Sequence, residues 1–430
     1  MMRVRLIAAA ARATPRIGLP LLAVSSAAMG GCASAAGETS PQVSLEQLGE
    51  KLFTEETFDG NGRVCSTCHE LDQFGTITPE FVQNLYETNP EAPLFRAIDS
   101  DDGLGRSYER LKKHATIRVP IELPARTASG LGVRKCGDPA NTSVVVHRGN
   151  PTVFNMAPEQ HIMHDGREGD DLEKQALNAV FTHSEPGHDP TPEELAAITA
   201  FQESLFSHEA VKEMPRLPPP QLTLPDGNTS SEKRGRAFFE PDRQCGQCHS
   251  GPMLNRTSEF HPNAVGFAFE SVFVGREPDN PNQKFMWCYV DLATNEIVPG
   301  PFDAPEVFSY PVSDPGLGLI AGITEFRTPD GTVQFIANEI LVHLAGPTFK
   351  IPTLWGTPNT APYFHDNSAK DLDEVLDQYN FFFSFFPDAE FGLGCDPDRP
   401  ECLSEEDKID IINFMQLLSF QEAPPPQPRP

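Results

Sequence analysis

The sequence predicts an all-α fold, mainly helical and loop-rich, arranged as two similar halves. Three observations carry that prediction. The pentapeptide Cys-x-x-Cys-His occurs twice, as Cys65-Ser66-Thr67-Cys68-His69 and as Cys245-Gly246-Gln247-Cys248-His249. Each copy follows a stretch with one apolar face, Leu48-Gly49-Glu50-Lys51-Leu52-Phe53 before the first and Arg234-Gly235-Arg236-Ala237-Phe238-Phe239 before the second. Between them, Pro215-Arg216-Leu217-Pro218-Pro219-Pro220 and then Pro225-Asp226-Gly227-Asn228 read as a linker. With 42 Pro and 32 Gly in 430 residues, loops outweigh regular structure.

In chain order, residues 1–35 read as an export signal. Arg3, Arg5, Arg12 and Arg16 precede an apolar stretch, Ile17 to Met29, that is too short to span a bilayer as a mature helix. Met29-Gly30-Gly31-Cys32 resembles a lipobox, which would place cleavage before Cys32 and a lipid anchor on that residue. Cleavage after Ala33-Ser34-Ala35 is the alternative, and both readings place the protein in the periplasm. Residues 40–214 form the first domain, with helices expected at Thr78 to Tyr86, Asp171 to Phe181 and Pro192 to Ser207. After the linker, 215–230, the second domain covers 231–420, with helices at Asp371 to Tyr379 and Ser404 to Leu418. Residues 255 to 345 carry few periodic segments, and 421–430 read as a disordered tail.

The repeated pentapeptide is the attachment site of a c-type haem. Two thiols add to the two vinyl groups on one porphyrin edge, and the adjacent His falls under the ring as an axial iron ligand. Cys65, Cys68 and His69 therefore hold one haem c, and Cys245, Cys248 and His249 a second. A zinc knuckle or a redox Cys-x-x-Cys explains neither His. Each half then reads as a cytochrome c-like domain in which haem fills much of the core.

Four cysteines remain: Cys136, Cys288, Cys395 and Cys402. An even remainder in an oxidising compartment suggests disulfides, Cys395 with Cys402 across a turn-rich loop and Cys136 with Cys288 as the second pair. The formal charge of −28 excludes nucleic acid as a partner. It favours a small cationic electron-donor protein, steered by long-range attraction that salt weakens.

Further motifs carry a resemblance. Phe349-Lys350-Ile351-Pro352-Thr353-Leu354 followed by Thr360-Ala361-Pro362-Tyr363-Phe364-His365-Asp366 is similar to the late signature of bacterial di-haem cytochrome c peroxidases and their MauG-type relatives. Asn150-Pro151-Thr152-Val153-Phe154-Asn155, Asp165-Gly166-Arg167 and Asp171-Leu172-Glu173-Lys174-Gln175-Ala176 resemble the signature of that family's first domain. The resemblance is weakest from about 75 to 145 and from about 255 to 345.

The resemblance implies that hydrogen peroxide reacts at the haem of His69. Conventional members cover that face with a His soon after the motif; here the next is His114, which implies an iron open to peroxide without prior reduction. By spacing, Gln175 and Glu185 stand at the family's distal Gln and catalytic Glu, with His183 as the alternative acid–base. Tyr379 stands where conventional members place a Met as sixth ligand of the second haem, as in the MauG branch. A phenolate there favours the oxidised metal. The family's inter-haem Trp is His164 here, and Arg243 and Gln244 occupy the stretch where MauG has a surface Trp. Thr360 and Pro362 match half of the family's calcium site, with Gly149 at the usual Asn and Asn150 beside it. The expected activity is peroxide reduction, with oxidation of a partner protein's side chain or plain electron transfer as the alternatives.

Overall fold

The computed structural model of the chain describes residues 43–123, 130–159, 161–214, 224–261, 284–300, 349–384 and 402–421, with short pieces between 261 and 349. Residues 1–42, where the export signal and the lipid-bearing Cys32 are expected, residues 215–223 of the expected linker, Cys395 and residues 422–430 of the expected tail lie outside the described residues.

Regular structure is mainly helical. The helices are α1 (Leu45–Glu55), α2 (Pro79–Thr88), α3 (Glu109–His114), α4 (Leu172–His183), α5 (Pro192–Ser204), α6 (Glu209–Glu213), α7 (Ser230–Ala237), α8 (Leu372–Phe383) and α9 (Glu405–Gln416). The longer ones start where the sequence supplies a cap. Ser44, Thr78, Asp171, Thr191, Thr229, Asp371 and Ser404 each accept, through the side chain, the N–H three residues on. Pro79 and Pro192 occupy the first helical turn, where the missing N–H costs nothing.

The two halves repeat one crossing. α1 packs on α5, and a Cβ at Gly49 would run into the Ala197 carbonyl. α7 packs on α9, and a Cβ at Gly235 would run into the Asp410 carbonyl. Glycine is required at both points because two helix backbones touch there. The shared Gly of the two stretches that precede the pentapeptides thus marks an equivalent helix contact.

Three apolar cores follow. One gathers Leu52, Phe53, Phe58, Val180, Ile198 and Phe201 around the first pentapeptide. Another gathers Leu254, Trp355, Leu376, Phe383, Phe414 and Leu418 around the second. The third belongs to the insertion that follows the first motif, and it is not helical alone. β1 (Thr116–Glu122) pairs antiparallel with β3 (Ser143–Gly149), and β2 (Gly132–Lys135) pairs antiparallel with β5 (Trp287–Val290) of the second half. Shorter ribbons join β4 (Phe269–Glu270) to β8 (Phe349–Lys350) and β6 (Glu325–Arg327) to β7 (Val333–Phe335). These ribbons are absent from the all-α expectation. β1 alternates buried and exposed positions from Arg118 to Glu122, the period-2 pattern of a half-buried strand.

Covalent and ionic links tie the insertion to both halves. Cys136 and Cys288 form a disulfide at the end of the β2–β5 ribbon, as expected from the sequence. Cys402 is also disulfide-bonded. Arg63, two residues before Cys65, is buried: its Nη1 lies 2.5 Å from Asp99 Oδ2, and it donates to the carbonyls of Pro93 and Leu94. Arg148 at the end of β3 donates to Asp165 at 2.6 Å and to both Asp314 oxygens at 2.7 and 2.9 Å. Burial of an ion triad is tolerated because each charge is met by a hydrogen-bonded counter-charge. The Asp of Asp165-Gly166-Arg167 therefore serves the framework, and Arg167 also donates to it at 3.0 Å.

Candidate haem sites

The two pentapeptides adopt one geometry. Each opens as a 3-10 turn, Cys65–Thr67 and Cys245–Gln247, and each His N–H donates back to the first Cys carbonyl, at 3.1 Å for His69 and 2.7 Å for His249. His69 Nδ1 lies 3.0 Å from the Gly75 carbonyl, and His249 Nδ1 lies 2.9 Å from the Leu254 carbonyl. A carbonyl can only accept, so Nδ1 carries the proton and Nε2 keeps its lone pair. That is the tautomer an iron ligand needs, fixed by a hydrogen bond behind the ring. Burial lowers both imidazole pKa values, His249 to about 4, so both rings are neutral.

The same duplication extends to the signatures. Thr152 Oγ donates to the Phe74 carbonyl at 2.6 Å and accepts the Phe154 N–H at 3.2 Å. Thr353 Oγ donates to the Met253 carbonyl at 2.8 Å and accepts the Trp355 N–H at 3.3 Å. Pro-Thr-Val-Phe of the first half and Pro-Thr-Leu-Trp of the second thus clamp equivalent loops downstream of each motif. Asn155 joins the pair, donating to Ser207 Oγ at 2.8 Å and to the Trp355 carbonyl at 3.2 Å. Trp355 was not among the residues singled out from the sequence; its place directly after the late signature is the signal that finds it.

Burial pushes the motif thiols Cys65 and Cys245 up to about 12 and Cys68 up to about 11. A redox-active Cys-x-x-Cys has the opposite perturbation, a lowered thiol pKa. Among the described residues no group of three or more His, Cys, Asp or Glu is arranged to hold a bare metal ion. The donor set present, two thiols and one neutral imidazole twice over, fits covalent haem.

A cavity of about 320 Å³ runs beside the second motif. Cys245, Cys248 and His249 line it together with Tyr379, Met415 and Trp355. α8 carries Tyr379 into that lining, backed by Phe382 and Phe383 with ring centroids at 6.5 and 5.9 Å. The cavity extends to His164, Thr360, Pro362 and Asn150. His164 Nε2 lies 2.9 Å from the Gly149 carbonyl, and burial with Arg148 nearby lowers its pKa to about 3, so it stays neutral. Asn150 donates to the Cys68 carbonyl, and its buried Oδ1 has no partner among the described residues.

Of the residues expected on the distal side of the first haem, Gln175 lies near the start of α4, His183 at its end and Glu185 just beyond it. Gln175 is half-buried on α4. His183 ends that helix; burial lowers its pKa to about 4, and its Nδ1 is enclosed without a hydrogen-bond partner. Glu185 is exposed, in the left-handed region at φ 48°, with Oε2 accepting from Asn61 Nδ2 at 3.0 Å. His114 ends α3, half-buried, where its carbonyl accepts from Asn367.

Residues 44–210 match the family model of the di-haem cytochrome c peroxidases, which confirms over that stretch the resemblance carried by the signatures. Over more of the chain, cytochrome-c peroxidase IdrP1 of Pseudomonas sp. (strain SCT) is 21% identical across 392 residues, 87% of this chain and 80% of that protein. Among solved structures, a MauG-like protein associated with microbial copper homeostasis shares 18% identity at a TM-score of 0.46, covering 90% of this chain and 92% of its own. The diheme peroxidase BthA from Burkholderia thailandensis E264 shares 14% identity at a TM-score of 0.42, covering 92% of each chain. No described helix is long and apolar enough to cross a membrane.

Proposed function

We propose that the chain is an exported di-haem peroxidase that reduces hydrogen peroxide to water at the haem of His69 and relays electrons through the haem of His249. The observation that carries this reading is the duplicated loop, a neutral His with Nδ1 bound to a carbonyl and two motif thiols beside it, in both halves. Haem iron, when bound, supplies the electrons that cleave the O–O bond. The protein's share is to move a proton from the near to the far peroxide oxygen. Glu185 is the carboxylate for that transfer, with His183 just before it at the end of α4 and Gln175 on the same helix.

Tyr379 and His249 line the same cavity, and Tyr379 would be the second side chain to hold a haem iron bound there. That ligand favours the oxidised metal and supports a second reading, in which oxidising equivalents pass to a side chain of a partner protein. Calcium is supported by Asn150, whose Oδ1 has no partner among the described residues and which lines the cavity that Thr360 and Pro362 also line.

The test is an optical and low-temperature EPR titration of the purified diferric protein with one equivalent of hydrogen peroxide and no reductant. One high-spin and one low-spin haem that react at once support the proposal. Two low-spin haems that ignore peroxide, before and after one-electron reduction, refute it in favour of plain electron transfer.

A further inference from the structure

The loop before the first motif and the turn after α4 are built against each other. Phe58, Asp59 and Gly62 all have positive φ, at 51°, 53° and 88°, so this loop is tightly folded. Its backbone pairs with the turn: the Asn61 N–H donates to the Ser184 carbonyl at 2.8 Å, and the Gly187 N–H donates to the Phe58 carbonyl at 2.8 Å. A Cβ at Gly60 would strike the Ser184 carbonyl, so the contact requires glycine.

One side chain sits at the centre of this contact. Asn61 Nδ2 donates to Glu185 Oε2 at 3.0 Å and to the His183 carbonyl at 3.0 Å, so both of its protons are used. Asn61 Oδ1 accepts from the Arg63 N–H at 3.2 Å, and the Asn61 carbonyl accepts from Arg96 Nε at 2.8 Å. Arg63 in turn is locked by Asp99 and lies two residues before Cys65. The chain of contacts runs from the haem-binding cysteines to the carboxylate of Glu185 without a flexible link. Glu185 needs such a hold, because a non-glycine residue at φ 48° is strained and an exposed carboxylate has many rotamers.

We propose that Asn61 is a positioning residue for peroxide cleavage: its amide fixes Glu185 Oε2, leaves Oε1 to take and return the proton, and sets the turn against the haem motif. This rests on the assignment of Glu185 as the acid–base group. The role is specific to a donor. Asp at this position would keep the acceptor used by the Arg63 N–H but would set a second carboxylate against Glu185, and one of two such carboxylates holds its proton to higher pH.

The haem-loaded full chain is tested as Asn61→Asp, Asn61→Ser and Glu185→Gln, with the Asn61→Asp/Glu185→Gln double variant completing a cycle. Two rates are read on the diferric protein: reaction with peroxide, and association of cyanide, which also hands a proton to a distal base but involves no turnover. Asn61→Asp is expected to slow both by about 10- to 100-fold, the range for losing one hydrogen bond to a charged group. The acid limb of both pH profiles should move to higher pH. Asn61→Ser, which keeps a short donor, should recover part of each rate, and Asn61→Asp should add nothing in the Glu185→Gln background. Rates for Asn61→Asp within twofold of the parent, or losses that multiply with those of Glu185→Gln, overturn the proposal while leaving the acid–base assignment intact. A Glu185→Gln variant as fast as the parent overturns that assignment, and this proposal with it.

Discussion

Replacing Arg148 by Met is the sharpest test of how the framework is held. The substitution keeps the unbranched stem of the side chain and removes three charged hydrogen bonds, one to Asp165 and two to Asp314. It leaves the buried Asp314 carboxylate without its cation and Asp165 with Arg167 alone, for which the expected loss is about 3–5 kcal/mol near pH 7. The pH dependence gives an independent measure. The Arg148 guanidinium holds Asp314 down at about 2, against an ordinary value of 3.8. At about 1.4 kcal/mol per pH unit, that difference is worth roughly 2–3 kcal/mol. A carboxylate depressed in the folded state contributes its stability above the unfolded value and loses it as the pH falls through the folded one. The parent should therefore lose this contribution between about pH 4 and pH 2. Urea unfolding followed by far-ultraviolet circular dichroism at a series of pH values measures both quantities. A loss below about 1 kcal/mol in Arg148→Met near pH 7, or a difference from the parent that stays constant down to about pH 2, would refute the reasoning.

Three further outcomes follow from the same contacts. Tyr379→Phe should change the EPR signal of the low-spin haem and leave the peroxide-reactive one alone; a parent-like spectrum excludes Tyr379 as a ligand. Removing the Cys136–Cys288 disulfide by a double Ser substitution should lower stability by about 5 kcal/mol, the chain-entropy value for a separation of 152 residues, seen as a lower denaturant midpoint. Burial lowers His147 to about 4 and His164 to about 3. The unfolded chain then binds protons that the folded one does not, so stability should fall as the pH drops from about 6.5 towards 4, and His147→Gln should flatten that slope in a pH-dependent melting series.

The helices were legible because their starts are written in single residues. Asp171, Thr191 with Pro192, Asp371 and Ser404 announce α4, α5, α8 and α9 within a residue or two. The haem loops were legible because the chemistry fixes their spacing. The insertion was not, since its core depends on partners far away: β2 is four residues long and finds its mate more than 150 residues later in β5. No local period announces such a pairing. The alternation of Thr116 to Glu122 was the one readable trace, and Pro120 within it argues against a central strand. Residues that act through others were equally hidden. Asn61 has no motif of its own, and Trp355 gains meaning only when Thr353 is seen to repeat the role of Thr152.

The ribbon between β2 and β5 sets a maturation problem. On the proposed di-haem reading, haem can be attached only while Cys65, Cys68, Cys245 and Cys248 are reduced, yet Cys136 and Cys288 form a disulfide in the folded chain. The wrong bridges are the easy ones, since each motif places two thiols three residues apart, whereas the right bridge spans 152 residues. The order of events is therefore constrained: the motif thiols have to be consumed by porphyrin, or kept reduced, before oxidant can safely seal the brace. If the chain is exported as proposed, thiol reduction and disulfide formation have to run side by side, and the fold decides which cysteines receive which treatment.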